Sequence, residues 1–462
     1  MEKYSNRLIP LRLRDDVGLQ PAIRKPKIMS ITQLEQVLAN ARAGKADAQF
    51  LMSQIRQQQN DLEGMMFWLQ EACNAGFPDA LGALGHCYEK GQGVAANIAK
   101  AMSYYDRAVD AGSKISAFHE AQLLHKSKQG VESTERIREL LHAAASSDVV
   151  PALRVLGYLA MQNEPQRDIA IEVLRRAATL GDAVSAFMLA WCLLQGQDSG
   201  DSPEAVHWLG YAVGANFPLA AELLASLSGT EPSAPPSDAN SPLKIDTSFA
   251  LYPPMRQVET EILSTDPEIT LFRDVLDVVD RAYLIYLSRP FLQPAHVINP
   301  DGDESGMISN VRTSKSTYIP FELVDIIGRY IELKIVTATN EDFLASEPMS
   351  ILCYAPGEYY RPHFDYFNPK LNVSDKLMQD GGQRVSSAVT YLTAPAAGGG
   401  TSFPRLNVTV PPVAGGTLWF RNCLSDGQVD KRSLHAGDAV IVGEKWVVTK
   451  WFREKPTQYA QI

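Results

Sequence analysis

The chain has 462 residues, of which 45% are hydrophobic and 21% charged, and its formal net charge is −10. This length favours two or more domains, and the acidic balance disfavours a general nucleic-acid-binding protein, which needs a basic face to neutralise phosphates. Because no stretch has the apolar length of a signal peptide or membrane span, and the five cysteines form no CxxC pair, we expect a cytoplasmic protein without a membrane partner.

Residues 32–228 are predicted to form an α-helical repeat solenoid, because they are rich in Ala, Leu and Gln and carry apolar residues at helical spacing. Residue types that tolerate a left-handed helix end recur every 33 to 36 residues from Gly76 onwards, and a weaker first copy turns at Gly44. These are Gly44, Gly76, Gly112, Asp148, Gly181 and Asn216. From Gly76 onwards, a small residue lies four positions before and four positions after each of them. Small residues let two helices approach closely, so each period predicts one helix pair.

The repeat units of this half resemble Sel-one-like repeats, which are related to tetratricopeptide repeats, most clearly from Ala80 to Gly112. The motifs that carry the resemblance are ALGALGHCYEKGQGV and KAMSYYDRAVDAG. The copies around 117–147 and 150–181 depart from the pattern, because they lack its Gly-x-Gly loop. Repeats of this kind bind protein segments, so the resemblance implies scaffolding or the capture of a substrate protein. The Pro- and Ser-rich segment that follows, 229–245, is predicted to be a linker.

Residues 246–462 are predicted to form a largely β domain. Short runs rich in Val, Ile, Tyr and Trp are separated by Gly, Pro and Asn, which is typical of strands and turns. Helical patterns precede these runs in ITLFRDVLDVVDRAYLIYLS and FELVDIIGRYIELK. The chain is therefore expected to be an α + β multidomain protein.

A candidate metal site lies in this second half. His363 and Asp365, in YAPGEYYRPHFDYF, are two residues apart, so on a strand both face the same side. Such a pair alone is weak evidence for a metal site. A distal histidine, His435 in SLHAGDAVIVGEKW, strengthens it, and this histidine is followed ten residues later by a basic residue, Lys445. Two imidazoles and one carboxylate on one face of Fe(II) leave positions open for a 2-oxo acid and dioxygen. We therefore predict that His363, Asp365 and His435 bind the metal.

A 2-oxo acid bound at such a metal needs a partner for its far carboxylate. Lys445 supplies a positive charge for this purpose, and a buried lysine without an anion would be unfavourable. Tyr354 and Thr401 can add hydroxyl hydrogen bonds to the same anion. The alternative interpretation is that Tyr354, Trp451 and Arg384 are half-buried strand residues and that Lys445 is an ordinary surface lysine.

From about Ile269 to Phe452 the chain resembles the prolyl 4-hydroxylase branch of the 2-oxoglutarate dioxygenases. The motifs are, in order, RTSKSTYIP, YAPGEYYRPHFDYF, GGQRVSSAVTYLTAPAAGGGTSFP, GGTLWF and SLHAGDAVIVGEKWVVTKWF. The resemblance implies a double-stranded β-helix, a jelly-roll relative, that carries Fe(II) on the three predicted ligands. It also implies an oxidoreductase that uses 2-oxoglutarate and O2, with L-ascorbate (vitamin C) as reductant, and 2-oxoglutarate binding by Tyr354, Thr401 and Lys445.

The same resemblance implies a site for a peptide substrate. It assigns four residues to that site: Arg384, Trp451, Arg312 and Thr313. One departure from the family pattern is Arg453, which stands two residues after Trp451 where the family commonly has histidine. The loop between Asp365 and Thr401 is also a few residues longer than usual. We expect both differences to alter contacts with the substrate and not with iron.

The leading hypothesis is a hydroxylase that acts on a prolyl residue of a protein captured by the repeats. A second hypothesis is an interaction scaffold whose oxygenase domain is inactive, against which the intact ligand set and Lys445 argue. A third is a hydroxylase of a free amino acid or other small metabolite, with repeats that serve assembly or regulation. No nucleic-acid partner is expected, because the chain is acidic and has no basic stripe.

Overall fold

A computed structural model of the chain describes residues 30–126, 134–196, 202–227, 251, 255–297, 307–308, 311–319, 324–369 and 372–461. The described chain divides into two compact units. One unit contains the described residues within 30–160 and 168–182 and Leu251, and the other contains those within 161–167, 183–227 and 255–461. The predicted linker, 229–245, lies outside the described residues. None of the described helices combines the length and the apolar character needed to cross a membrane.

The first unit consists mainly of helices of similar length joined by short turns. The helices are α1 Ile31–Arg42, α2 Ala46–Gln58, α3 Leu62–Asn74, α4 Pro78–Lys90, α5 Ile98–Asp110, α6 Lys114–Lys126, α7 Thr134–Ala145, α8 Val150–Met161 and α9 Arg167–Thr179. A short 3-10 helix, Glu164–Gln166, precedes α9. The helical repeat architecture predicted from the sequence is confirmed, also between α6 and α9, where the copies lack the Gly-x-Gly loop.

The turn residues predicted from the sequence all have a left-handed backbone. Their φ angles are 82° at Gly44, 74° at Gly76, 97° at Gly112, 61° at Asp148, 98° at Gly181 and 55° at Asn216. The small residues four positions on either side of the turns from Gly76 to Asn216 are all 0% exposed. They are Ala72, Ala80, Ala108, Ser116, Ala144, Ala152, Ala177, Ser185, Ala212 and Ala220. The close helix approach inferred from their size is therefore present.

The second unit begins with the last repeat helices, α10 Ala183–Leu194, α11 Pro203–Gly214 and α12 Ala220–Ala225. Phe217, which follows α11, is buried between two aromatic residues. Its ring centroid is 5.1 Å from that of Phe187 in α10 and 5.4 Å from that of Tyr286 in helix α13, Val278–Ser288. Since α13 belongs to the oxygenase part of the chain, the last repeat helices and the oxygenase share one apolar contact.

Two antiparallel sheets form the β part of this unit. The larger sheet contains β1 Thr260–Thr265, β2 Glu268–Phe272, β3 Gln293–Pro294, β6 Lys315–Tyr318, β7 Ser350–Tyr354, β9 Arg384–Tyr391, β13 Thr417–Arg421 and β16 Lys445–Arg453, in the order β1-β2-β13-β9-β16-β7-β6-β3. The smaller sheet contains β8 Tyr360–His363, β11 Thr401–Phe403, β12 Val408–Val410 and β14 His435–Gly437, in the order β12-β11-β14-β8. Two short pairs add β4 His296–Val297 with β5 Met307–Ile308, and β10 Ala397–Gly398 with β15 Val440–Val442.

The core of the β part lies between the two sheets. It joins Leu352 and Val447 of the larger sheet to Phe403 and Val410 of the smaller one. This packing of two antiparallel sheets on one core is the architecture of a double-stranded β-helix, as predicted.

Strand β16 shows how the larger sheet positions the site. Alternate residues of a strand face opposite sides, so Lys445 and Trp451 share the inner side with the core residue Val447. Lys450 faces the other side, where its ammonium donates to the carboxylate of Glu332.

Helices cover the outer side of the larger sheet. Glu332 belongs to α14, Ile326–Ala338, and Lys334 of the same helix forms a 2.6 Å ion pair with Asp280 of α13. The remaining helices are α15 Asn372–Leu377 and α16 Gln458–Gln461, and 3-10 turns span Arg289–Phe291, Phe343–Ala345 and Lys431–Ser433.

Candidate active site

The three predicted metal ligands come together on the smaller sheet. His363 ends β8 and lies opposite His435, the first residue of β14, while Asp365 follows β8. The distances from His363 Nε2 to Asp365 Oδ1 and from His435 Nε2 to Asp365 Oδ2 are both 3.6 Å. Across the described ranges, this is the only group of three His, Cys, Asp or Glu side chains whose ligand atoms all lie within 4.8 Å of one another.

Both imidazole rings are oriented by backbone carbonyl groups. Nδ1 of His363 lies 2.9 Å from the carbonyl oxygen of Arg361, and Nδ1 of His435 lies 3.0 Å from that of Ser433. A carbonyl oxygen can only accept a hydrogen bond, so each Nδ1 carries the proton and each Nε2 keeps its lone pair toward the shared centre. The donor set fits Fe(II), which favours two imidazoles and one carboxylate.

Asp365 is held by a hydrogen-bonded chain from the larger sheet. The Ser387 hydroxyl donates to Asp365 Oδ2 at 2.7 Å, and the Asn422 amide donates to Ser387 Oγ at 2.9 Å. Burial alone would raise the pKa of Asp365, but His435 and His363 lower it below the usual value. Burial, followed by the neighbouring His435, lowers the pKa of His363. Asp365 is therefore ionised and His363 neutral at neutral pH, as metal binding requires.

Lys445 lies in a buried pocket between the sheets and is 3% exposed. Its ammonium is 5.5 Å from the ring centroids of both Tyr354 and Tyr391, and it donates a long hydrogen bond, 3.4 Å, to the Gly400 carbonyl oxygen. Burial lowers the pKa of Lys445 to about 8. Within the described part of the chain, no carboxylate forms an ion pair with Lys445, and Asp438 acts on its charge only from a longer distance, so the pocket offers a cation to an anionic ligand.

The other two residues predicted to bind 2-oxoglutarate border the same pocket. Tyr354 is paired directly with Lys445 across β7 and β16. Thr401 is buried, and its hydroxyl oxygen accepts a 2.9 Å hydrogen bond from the hydroxyl of Tyr391. A side chain at Gly399, whose φ is 74°, would lie 3.3 Å from Cδ of Lys445, so a glycine here keeps space beside the lysine.

Arg384 and Trp451, predicted to bind the substrate, are in contact with each other. The Arg384 guanidinium lies 3.9 Å from the Trp451 ring centroid, and it forms hydrogen bonds of 2.7 and 2.8 Å to the Glu347 carboxylate. Burial alone would lower the pKa of Arg384, but Glu347 raises it above its usual value. The Trp451 indole N–H is buried, and it has no hydrogen-bond partner among the residues that the structure describes. Arg384 is thus fixed in place, while Trp451 keeps a free donor.

Arg312 and Thr313, the other predicted substrate residues, lie beside β8. Thr313 donates from its N–H to the Tyr359 carbonyl at 3.1 Å, and its hydroxyl accepts from the Tyr359 N–H at 2.9 Å. The Arg312 guanidinium lies 4.9 Å from the Tyr360 ring centroid, and Tyr360 in turn stacks on His363 at 3.5 Å. Thr313 is therefore engaged with the backbone, whereas Arg312 packs on the tyrosine that covers the predicted metal ligand His363.

Arg453, the departure from the family pattern, is bound to the loop that precedes β9. Its guanidinium donates to the carbonyl oxygens of Gly382 at 3.0 Å, Leu377 at 2.7 Å and Asp380, and it forms a 2.7 Å ion pair with Glu347. The side chain is buried, and its contacts are to the protein. Arg453 thus stabilises the loop between Asp365 and Thr401.

Sequence reasoning missed four residues that support the site. They are Ser387 and Asn422 behind Asp365, Tyr391 behind Thr401, and Glu347 between Arg384 and Arg453. Ser387 lies 22 residues from Asp365 in the chain, and Glu347 lies 106 residues from Arg453. No local spacing marks partners this distant, because the sheet register alone brings them together.

Comparisons with known proteins agree with this geometry. The sequence profile of the 2OG-Fe(II) oxygenase superfamily matches residues 349–453, and the Sel1 repeat profile matches residues 78–113 and 183–216. The chain is 34% identical over 214 residues to prolyl 4-hydroxylase 1 of Arabidopsis thaliana, covering 43% of this chain and 74% of that protein. It is 31% identical over 221 residues to prolyl 4-hydroxylase subunit alpha-2 of Caenorhabditis elegans, covering 47% of this chain and 40% of that subunit.

Among solved structures, the chain is similar to the viral collagen prolyl hydroxylase of Paramecium Bursaria Chlorella virus-1, at 24% identity and a TM-score of 0.31, over 40% of this chain and 95% of that one. The family assignment depends on the Arabidopsis relative and not on this distant likeness. The chain is a dioxygenase, and it belongs to the prolyl 4-hydroxylase family of 2OG-Fe(II) oxygenases.

Proposed function

We propose that the enzyme hydroxylates a prolyl residue of a protein or peptide, with Fe(II), 2-oxoglutarate and O2, and with L-ascorbate as reductant. The observation that carries the proposal is the convergence of His363, Asp365 and His435, with both Nε2 lone pairs directed at one centre. Iron bound there would supply the chemistry by which 2-oxoglutarate and O2 oxidise a substrate C–H bond.

The protein's own contribution to co-substrate binding is a buried positive charge. Lys445 would pair with the far carboxylate of 2-oxoglutarate, and the hydroxyl groups of Thr401 and Tyr354 would complete the hydrogen bonds of that anion. Because the pocket is buried, this ion pair is stronger than it would be in water. The absence of a carboxylate partner for Lys445 within the described residues supports this role.

The contribution to substrate binding comes from Trp451 and Arg384. An extended peptide presents backbone carbonyl groups, and the free indole N–H of Trp451 is a donor for one of them. Glu347 holds Arg384 against the indole ring, so the donor is preorganised before the peptide arrives. The names of the relatives, which are prolyl 4-hydroxylases, support a prolyl residue as the target.

The helical repeats would recruit the protein that carries the target residue. Stacked helix pairs present extended surfaces for protein segments, and recruitment raises the local concentration of the target near the oxygenase. We also propose that the reaction takes place in the cytoplasm. All five cysteines are free and buried, which suits a reducing compartment.

The test is product analysis by mass spectrometry. The full-length protein is incubated with Fe(II), 2-oxoglutarate, ascorbate and cell-extract proteins or prolyl peptides, and a gain of about 16 Da on a prolyl residue is expected, as for the insertion of one oxygen. The matched control is the His363→Ala variant, which should give no product. Oxidation confined to free amino acids, or to residues other than proline, would contradict the proposal.

A second variant tests the substrate contact. Trp451→Phe keeps an aromatic ring for Arg384 and removes only the indole N–H. A neutral hydrogen bond contributes about 0.5–1.5 kcal/mol, so the KM for a prolyl peptide should rise by roughly 2- to 12-fold. An equal rise in the KM for 2-oxoglutarate would show that Trp451 does not act on the peptide.

A further inference from the structure

Four cationic residues lie close to the predicted metal ligands in the chain or in space, and we name them the basic rim: Arg312, Arg361, Arg405 and Lys431. Arg361 lies two residues before His363, and Lys431 lies four residues before His435. Arg405 donates to the carbonyl oxygen of Lys431 at 2.9 Å, which links these two members. Arg361, Arg405 and Lys431 are exposed, and Arg312 is partly buried.

The arginines of the basic rim rest on aromatic residues of the segment that carries His363. Arg312 lies 4.9 Å from the ring centroid of Tyr360, and Arg361 lies 5.9 Å from that of Tyr359. Arg405 lies 5.7 Å from the ring centroid of Phe364, the residue between His363 and Asp365. A cation–π contact holds a guanidinium in place without using its N–H donors. Arg312 donates its Nε–H to Ser314 Oγ at 3.3 Å and Arg405 donates one N–H to the Lys431 carbonyl, and their remaining N–H groups can bind a ligand.

Three other arginines of this unit have acidic partners, which the members of the basic rim lack among the described residues. Arg273, Arg421 and Arg432 form ion pairs with Glu261, Glu268 and Asp266, respectively. Within the part of the chain that the structure describes, no carboxylate forms an ion pair with any member of the basic rim. In a chain whose net charge is −10, a cluster of four unmatched cations at one site is a local feature and not a consequence of composition.

We propose that the basic rim binds acidic residues that flank the target residue in the substrate protein. The inference deepens the proposed function and depends on it. Arginine forks bind carboxylates through two parallel hydrogen bonds, so aspartate or glutamate side chains near the target fit the exposed guanidinium groups of Arg361 and Arg405. Charges at the edge of a site mainly accelerate association and select partners, so the acidic segment would set substrate choice.

Two other anions compete with an acidic peptide as the ligand. Free 2-oxoglutarate is one, but the buried Lys445 already provides a cation for it inside the pocket. A nucleic acid is the other, but it requires an extended basic surface, whereas the basic rim has four members in an acidic protein. The geometry therefore favours a peptide with a few carboxylates close to the residue that enters the site.

The test measures binding without turnover. The full-length protein, loaded with Mn(II) in place of iron and with 2-oxoglutarate, is titrated into a fluorescent peptide that has aspartates on both sides of a proline. A twin peptide has asparagines at the same positions. We expect the acidic peptide to bind roughly tenfold more tightly at low ionic strength, and the difference to shrink at high ionic strength. The double variant Arg361→Gln/Arg405→Gln should lose this preference, whereas the control Arg273→Gln/Arg421→Gln should keep it.

The inference would be overturned by equal affinity for the two peptides, by a double variant that retains the preference, or by tighter binding of a single-stranded oligonucleotide of equal charge. If the double variant weakens only the binding of 2-oxoglutarate, the basic rim serves the co-substrate and the inference is wrong. Failure of the proposed function has a different signature, because mass spectrometry would then detect no prolyl hydroxylation of either peptide, whatever their affinities.

Discussion

Removal of the charge of Lys445 should separate co-substrate binding from metal binding. Lys445→Met preserves the length and apolar stem of the side chain but deletes the ammonium group. A hydrogen bond between a charged donor and a carboxylate contributes about 1.5–3 kcal/mol, so the apparent affinity for 2-oxoglutarate should fall by roughly 10- to 150-fold. Iron binding should change far less, because Lys445 contacts none of the three ligands. The assay is succinate formation at increasing 2-oxoglutarate and, separately, at increasing Fe(II).

The same variant should gain stability when 2-oxoglutarate is absent. Burial lowers the pKa of Lys445 from 10.5 to about 8, so at pH 7 the folded protein keeps a buried charge at a cost of about 3 kcal/mol. This cost is fully present below pH 8, and it declines between about pH 8 and 10.5 because the folded state releases its proton first. Lys445→Met should therefore melt at a higher temperature than the wild type at pH 7, unlike the control variant Lys455→Met at an exposed position.

The lowered pKa also predicts how co-substrate affinity depends on pH. Below about pH 8, Lys445 is protonated and can bind the carboxylate. Above that pH the charged fraction falls, so the apparent dissociation constant for 2-oxoglutarate should rise, approaching tenfold for each further pH unit. The Lys445→Met variant should lack this dependence. A flat profile in the wild type, or unchanged affinity in the variant, would refute the assignment of Lys445 to the co-substrate.

Three further perturbations test the metal site, the loop and the last repeat. Asp365→Ala should abolish 2-oxoglutarate decarboxylation and reduce iron affinity while circular dichroism stays unchanged, because only a ligand is removed; residual turnover would exclude Asp365 as a ligand. Arg453→His should lower stability by about 3 kcal/mol, because it breaks the buried pair with Glu347, whereas Arg421→His at the surface should have little effect. Phe217→Ala should lower the melting temperature of the oxygenase, since truncation of a buried phenylalanine costs about 3–5 kcal/mol, and an unchanged melting temperature would mean that the contact with α13 contributes nothing.

The parts of the structure that sequence reasoning predicted are those set by local geometry. A left-handed helix end selects Gly, Asn or Asp, so Gly112, Asp148 and Asn216 could be identified from their residue types and spacing. The two-residue period of a strand predicts that His363 and Asp365 face one side; the two side chains do converge, although β8 ends at His363 and Asp365 lies just beyond it. In each case the signal lies in residue type and in the periodicity of the sequence, and it does not depend on which distant segments pack together.

The contacts that sequence reasoning missed depend on register between distant strands. Ser387 reaches Asp365 only because β9 crosses behind the smaller sheet, and no residue near Ser387 indicates this. The boundary between the repeats and the oxygenase is similar. The Pro- and Ser-rich segment predicts a linker at 229–245, but the contact of Phe217 with Tyr286 depends on tertiary packing that composition does not reveal.

The interaction of Arg453 with Glu347 explains why a departure from the family pattern is compatible with an intact metal site. Glu347 binds both Arg384 and Arg453. Arg384 also donates from Nη1 to the carbonyl oxygen of Asp365, at 3.4 Å. A smaller residue at 453 would leave Glu347 with one cationic partner and free three carbonyl groups of the loop. The expected consequence is a looser loop and a less rigid Arg384, so Arg453→His should raise the KM for a prolyl peptide more than the KM for 2-oxoglutarate. Equal changes in both constants would mean that Arg453 supports the fold alone.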